Sequence, residues 1–155
     1  MIGAPAPFRL DPTVTGLELV QRWISHGIAA GLNGRLGAQP ILASPGHIRF
    51  ACRIDDGLAN FSGLVHGGVA AALIDIAGGG AAMTLLQRGE TLLTADLSMR
   101  FLNPAPLTDG QLIADGRVSY QDGRRILAEV QVTAGEVTMA QGSVSIAVRR
   151  SAHSG

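Results

Sequence analysis

Between Gly63 and Leu86 the chain carries only two ionisable side chains, His66 and Asp75, in a run dominated by Gly, Ala and aliphatic residues. A helix of this composition has no polar face, so it needs apolar cover on every side. A membrane could supply that cover, but an Asp near the centre of a span costs about 2.5–3.5 kcal/mol on the insertion scale. Strand-like segments also lie on both sides of the run. The stretch therefore reads as a buried helix from about Gly67 to Gln87, and the rest of the domain has to wrap it. At 155 residues the chain is the size of one domain with one core.

The flanks supply the wrapping. Residues 1–14, with Pro5, Pro7 and Pro12, read as an irregular lead-in. Thr15-Gly16-Leu17-Glu18 has the spacing of a capping box, and Leu17, Val20, Ile24 and Ile28 recur at helical spacing beside Trp23. This predicts an amphipathic covering helix that ends near Gly31 to Gly34. Two strands, Arg35 to Ala43 and His47 to Ile54, follow around Ser44-Pro45-Gly46, a pair of turn residues suited to type II geometry. Beyond the apolar helix, Thr91 to Leu102 alternates. Leu93, Ala95, Leu97, Met99 and Phe101 fall on one face, and Thr94, Asp96, Ser98 and Arg100 on the other. Gln111 to Gln121 and Arg124 to Thr133 flank the hairpin signal Asp122-Gly123, and Val137 to Val148 is the last strand. Short turns imply antiparallel pairing. The expected fold is α+β: a curved antiparallel sheet around one long central helix, with an extra N-terminal helix. Residues 1–34 are the lead-in and covering helix, 35–148 the main domain, and 149–155 a flexible tail.

Composition removes whole classes of function. Hydrophobic residues make up 46% and charged residues 15%, the opposite of a disordered chain. All twelve basic residues are Arg, balanced by twelve acidic ones, so no clustered positive charge marks a nucleic-acid binder. The lack of lysine excludes Schiff-base catalysis, a phosphate-binding P-loop and Ser–Lys nucleophiles. His26, His47, His66 and His153 form no pair at metal-ligand spacing. No Gly-x-Ser-x-Gly elbow or dinucleotide fingerprint occurs, and Gly78-Gly79-Gly80, inside the helix, reads as a close-packing surface. No metal or other cofactor is expected. The lone Cys52 reads as a buried structural thiol in a reducing compartment, and Met1 to Pro5 has no signal-peptide pattern, so a cytoplasmic protein is expected.

The residues left for chemistry cluster at the start of the apolar helix. Gly67 and Gly68 present N–H groups at its positive end with no side chain in the way, a ready place for an oxyanion. The same pair also fits a tight helix entry, and His66 a simple cap. Asp75 is the one charge in the helix; it is either a reacting carboxylate or a structural hydrogen-bond acceptor. Asn60 can hold a carbonyl or a water with either end of its amide. Asp75 lies eight residues beyond Gly67, about 12 Å along a helix. If both act on one carbonyl, one of them has to come from another subunit across a two-fold axis.

Asn60, Val65-His66-Gly67-Gly68, Ala72-Leu73-Ile74-Asp75, Thr94-Ala95-Asp96, Phe101-Leu102-Asn103-Pro104-Ala105 and the Gly123-Arg124 turn resemble hotdog-fold acyl-CoA thioesterases of the phenylacetate-degradation type. The resemblance covers about residues 35 to 148. It implies that the Gly67 N–H polarises a thioester carbonyl while His66 and Asn60 position substrate or water. It further implies that Asp75 of the facing subunit is base or nucleophile, and that Thr94 orients the water. Gly68, Arg100, Arg124 and Arg125 become candidate contacts to the acyl-CoA. The implied assembly is a homodimer with shared sites, pairing again into a tetramer, without nucleic-acid or membrane partners. An acyl-CoA-binding module without turnover and a hotdog dehydratase are the competing functions; the His-Phe-Pro-Gly loop usual in the dehydratases is missing.

Overall fold

The computed structural model describes residues 7–108 and 110–151. The first six residues of the lead-in and the last four of the tail, His153 among them, lie outside that description. In chain order the elements are α1 (Gly16–His26), α2 (Gly31–Leu36), β1 (Ala38–Ser44), β2 (His47–Arg53), a 3₁₀ turn (Asp56–Leu58), α3 (Gly67–Met83), β3 (Glu90–Phe101), β4 (Gln111–Gln121), β5 (Arg125–Ala134) and β6 (Val137–Arg150). One antiparallel sheet holds all six strands in the order β1-β2-β4-β5-β6-β3. α3 carries the chain from β2 to the far edge of the sheet and packs against β2, β3, β4, β5 and β6. This is the helix-in-sheet arrangement expected from the sequence.

Small residues let sheet and helix close on each other. Ala70, Ala77, Ala81 and Ala82 of α3 are fully buried, and a Cβ on Gly116 of β4 would fall 2.5 Å from the Ala77 carbonyl oxygen. Larger side chains fill what remains: Leu73 and Ile74 of α3 are fully buried with Ile48, Leu112, Val144 and Ile146 of the sheet. Each such side chain contributes roughly 1.5–3 kcal/mol. Cys52 is buried too, its thiol donating to the Leu36 carbonyl at 3.1 Å, and burial raises its pKa.

The covering helix is shorter than its periodicity predicts. Its Thr15–Glu18 capping box forms, but Gly27 adopts φ 77° and closes the helix by bonding back to the Trp23 carbonyl. Ile28 is still buried, because the Gln39 side chain takes both its N–H (2.7 Å) and its carbonyl (2.6 Å). A separate short helix, α2, then fills the segment before β1, which starts at Ala38 rather than Arg35. α3 stops at Met83, four residues early; the Thr84 hydroxyl donates to the Ala81 carbonyl and accepts the Gly46 N–H of the β1–β2 turn. β6 runs on to Arg150, past the expected start of the tail.

Candidate active site

The loop before α3 is built by Asn60. Its Oδ1 accepts the N–H of Ser62 at 2.8 Å and of Leu64 at 3.1 Å. That commits the carbonyl end to the loop and leaves the amide NH₂ to donate, so of the two ends expected to serve a ligand only one is available. His66 is the N-cap of α3, its Nδ1 accepting the Gly68 N–H at 2.8 Å. In the neutral ring this places the proton on Nε2. Gly68 is therefore not a free donor, contrary to the expectation that both glycine N–H groups stand open. The Gly67 N–H has no acceptor among the described residues. A Cβ on Gly67 would lie 3.0 Å from the Phe101 ring, which approaches from the end of β3. In the sequence Phe101 belongs to one of the stretches that carry the resemblance but has no role of its own; its contact with the helix entry is a finding of the structure.

The second cluster lies farther along α3. Asp75 is exposed in the single chain, not buried as its apolar neighbours suggested. Its Oδ1 accepts the Thr94 hydroxyl at 2.7 Å. Strict alternation puts Thr94 on the polar face with Arg100. The structure overturns that face assignment through a β-bulge: Thr94 pairs with Ile146 and Asp96 with Ser145, leaving Ala95 as an extra residue. One inserted residue reverses the side to which every residue before it points. Thr94 and Leu92 consequently turn toward α3, while Leu93 is 68% exposed.

Asp75 and Thr94 also line a cavity of about 320 Å³ between α3, α1, β2 and the end of the lead-in. That is the small end of the range for ligand pockets, which run to about 1,000 Å³. Its walls include Phe8, Trp23, Phe50 and Met83. None of these has a functional reading in the sequence: Phe8 falls in the irregular lead-in, Trp23 in the covering helix, Phe50 in a strand and Met83 in the apolar helix.

The candidate cations divide between the two clusters. Arg100 pairs in register with Gln141, one residue from Phe101 and the Gly67 end. Arg125 pairs with Ala147, which also pairs with Leu93, next to Thr94. The two levels are seven residues apart on β3, about 23 Å. Arg124 and Arg125 are both exposed, and their backbone N–H groups donate to Asp122 in the hairpin turn. Within one chain, then, the fold joins Asp75 to Thr94 and Gly67 to His66, and it keeps the pairs apart. Among the described residues no three His, Cys, Asp or Glu side chains converge as a metal set, and no helix is long and apolar enough to cross a membrane.

Residues 62–140 match the thioesterase superfamily. The chain is 35% identical over 125 residues to a Halobacterium salinarum protein named "Putative esterase", covering 77% of this chain and 81% of that one. Among solved structures, a thioesterase family protein from Silicibacter pomeroyi superposes with a TM-score of 0.76 at 22% identity, over 85% of this chain and 99% of that one. A phenylacetic acid degradation-related protein from Ralstonia eutropha gives 0.74 at 19% identity, over 83% and 98%. The chain belongs to the thioesterase superfamily, a class of hydrolases, and its fold is the hotdog fold of these neighbours.

Proposed function

We propose that the protein hydrolyses acyl-CoA or aryl-CoA thioesters to free acid and CoA, at sites shared between two copies of the chain. The observation that carries this reading is the Thr94–Asp75 hydrogen bond on the rim of an apolar cavity. By donating to Oδ1, Thr94 fixes the carboxylate and leaves Oδ2 free to take a proton from water. The water oxygen attacks the thioester carbon, and charge develops on the carbonyl oxygen facing the Gly67 N–H of the other copy. The C–S bond then breaks and the departing thiolate takes the proton held by Asp75, which restores the carboxylate. Direct attack by Asp75 on the thioester is the alternative route from the same geometry. Asn60 and His66 hold the entry loop and cap around the Gly67 N–H, and Arg100, Arg124 and Arg125 are the proposed cations for the nucleotide end of CoA.

Two facts favour sharing. Gly67 and Asp75 stand about 12 Å apart on one rigid helix. β3 is an edge strand twelve residues long, with Leu93 and Phe101 68% and 60% exposed. An unpaired apolar edge is a template for pairing with another strand. Antiparallel pairing of two such edges would bring the Gly67 end of one chain to the Asp75 end of the next. A homodimer, pairing again into a tetramer in the cytoplasm, is the assembly proposed.

Thiol release from acetyl-, octanoyl- and phenylacetyl-CoA tests the activity, and turnover of none of them sinks it. Co-refolding two inactive but folded variants, Gly67→Val and Asp75→Asn, tests the sharing. Half of the randomly formed dimers are mixed, each with one intact site, so about a quarter of wild-type activity returns. No recovery with freely exchanging chains places each site within one chain.

A further inference from the structure

We infer that Phe101 is a positioning residue for the Gly67 N–H: its ring keeps bulk water off that donor and leaves it unpaired for the carbonyl oxygen of a thioester. This rests on the hydrolase reading. Two rings bracket the start of α3, and they treat its first two N–H groups differently. A Cβ on Gly68 would lie 3.1 Å from Nδ1 of His66, and the same nitrogen accepts the Gly68 N–H at 2.8 Å. A Cβ on Gly67 would lie 3.0 and 3.1 Å from Cε1 and Cζ of Phe101, and the next nearest atom, at 3.9 Å, belongs to the same ring. The imidazole satisfies one N–H. The phenyl ring has no lone pair to offer, and it covers the residue that carries the other, for which no acceptor exists among the described residues.

The ring also accounts for the glycine. Gly67 has no positive φ, so its backbone conformation is open to other residues. What a side chain there would meet is Phe101. The two positions form one device: a residue without a side chain, and a ring seated where that side chain would stand. Burial in the core does not explain the ring's place. Phe101 is the last residue of the edge strand β3, its backbone pairs with Ala140 of β6, and it stays 60% exposed.

An unpaired N–H at the positive end of a helix ordinarily binds water. A fixed donor acts most strongly on a developing negative charge where water is excluded and the local dielectric is low. Apolar cover over the helix entry therefore strengthens the donor without moving it. In a shared site Phe101 travels with the Gly67 of its own chain, so the copy that supplies the donor also supplies its cover, and the copy that supplies Asp75 supplies neither.

Exchange of the Gly67 amide with solvent, read by NMR, tests the cover without any reaction. Phe101→Ala should speed it about tenfold and leave the Gly68 amide, still bonded to His66, close to its wild-type rate. An unchanged Gly67 rate overturns the role of Phe101, and so does equal acceleration of both amides, which marks a frayed helix end. Turnover is the second readout. Phe101→Ala should lower kcat about 10- to 100-fold, less than the roughly 10²–10³-fold for losing such a donor outright, and by the same factor for acetyl-, octanoyl- and phenylacetyl-CoA. A loss confined to one acyl group means that the ring reads the acyl chain instead, and overturns the inference. Phe101→Met restores apolar cover and should recover most of the loss in both readouts. Co-refolding then assigns the half-site. With Asp75→Asn, Phe101→Ala should regain about a quarter of wild-type activity; with Gly67→Val it should regain nothing beyond its own residual rate. The reverse pattern places Phe101 with Asp75 and overturns the inference. If wild type cleaves no thioester, the hydrolase reading fails separately, and the amide exchange alone decides on Phe101.

Discussion

The two ends of the candidate site are made from different materials. At the Gly67 end the working group is a backbone N–H, and the side chains around it, His66 and Asn60, are occupied in holding backbone. At the Asp75 end the working groups are side chains, and the backbone contributes one irregularity, the Ala95 bulge that turns Thr94 toward the carboxylate. A donor built from backbone is hard to remove and easy to obstruct. A carboxylate and its hydroxyl partner can be removed atom by atom with little change of shape. The two ends should therefore fail differently under mutation.

The largest difference is expected at Asp75. Asp75→Asn keeps the shape and removes the base, so turnover should fall about 10²–10⁴-fold. Because Asp75 is exposed and, among the described residues, is bonded only to Thr94, Tm should change little. Measuring kcat beside a melting curve separates this from a structural role, in which Tm falls and turnover survives. Thr94→Val comes next. It keeps the β-branched shape and deletes the hydroxyl that donates to Asp75 at 2.7 Å. A hydrogen bond to a charged group is worth about 1.5–3 kcal/mol, so a 10- to 100-fold loss of kcat is expected. An unchanged kcat would separate Thr94 from the chemistry and leave the bulge without a functional reason.

The elements that could be read from sequence are those whose signal is local or periodic. The capping box at Thr15, the turns at Pro45-Gly46 and Asp122-Gly123, and the apolar helix each announce themselves within a few residues. Asp75 stood out because it is the only charge in that helix, and the glycine pair because it opens one. Alternation puts Thr94 on the wrong face because it assumes a regular strand. A bulge at Ala95 is fixed by how β3 pairs with β6, which no local pattern in β3 reports. The state of Gly68 follows from the cap reading of His66, which the sequence leaves open beside a free glycine pair; the His66 ring folding back onto the helix decides between them. Phe8, Trp23, Phe50 and Met83 come together only in three dimensions; in sequence they belong to four separate segments.

At the Gly67 end the expected effects are on stability first. His66→Ala leaves the Gly68 N–H without its acceptor, and loss of an N-cap costs about 1 kcal/mol, or a Tm lower by about 2–4 °C. His66→Asn supplies a short oxygen acceptor at the same position and should recover the stability. Should kcat track Tm in both variants, His66 acts as a cap. If Asn restores Tm while turnover stays low, the imidazole itself touches the substrate and the contrast between the two ends weakens.

The smallest effect on turnover is expected away from both ends, and it provides the reference against which they are judged. Asp115 on β4 meets three basic side chains: His47 at 3.1 Å, Arg49 at 2.8 Å and Arg117 at 3.2 Å. Partial burial pushes its pKa up, but the hydrogen bonds from Arg49 and His47 and the charges of His47 and Arg117 outweigh it. The net value is lowered from 3.8. A carboxylate with a depressed folded-state pKa contributes stability that is fully present above its unfolded value and disappears as pH falls through the folded one. Asp115→Asn should thus lower Tm at neutral pH, by about 1 kcal/mol after allowing for solvent screening of the two arginines, which is a shift of about 2–4 °C. The gap between the two melting curves should hold from pH 7 to about 4 and narrow below it. Turnover at neutral pH should not change, since none of the four side chains lines the cavity or joins the Gly67 loop. A gap that persists unchanged at pH 3 would mean that packing by Asp115, not its charge, supports the sheet.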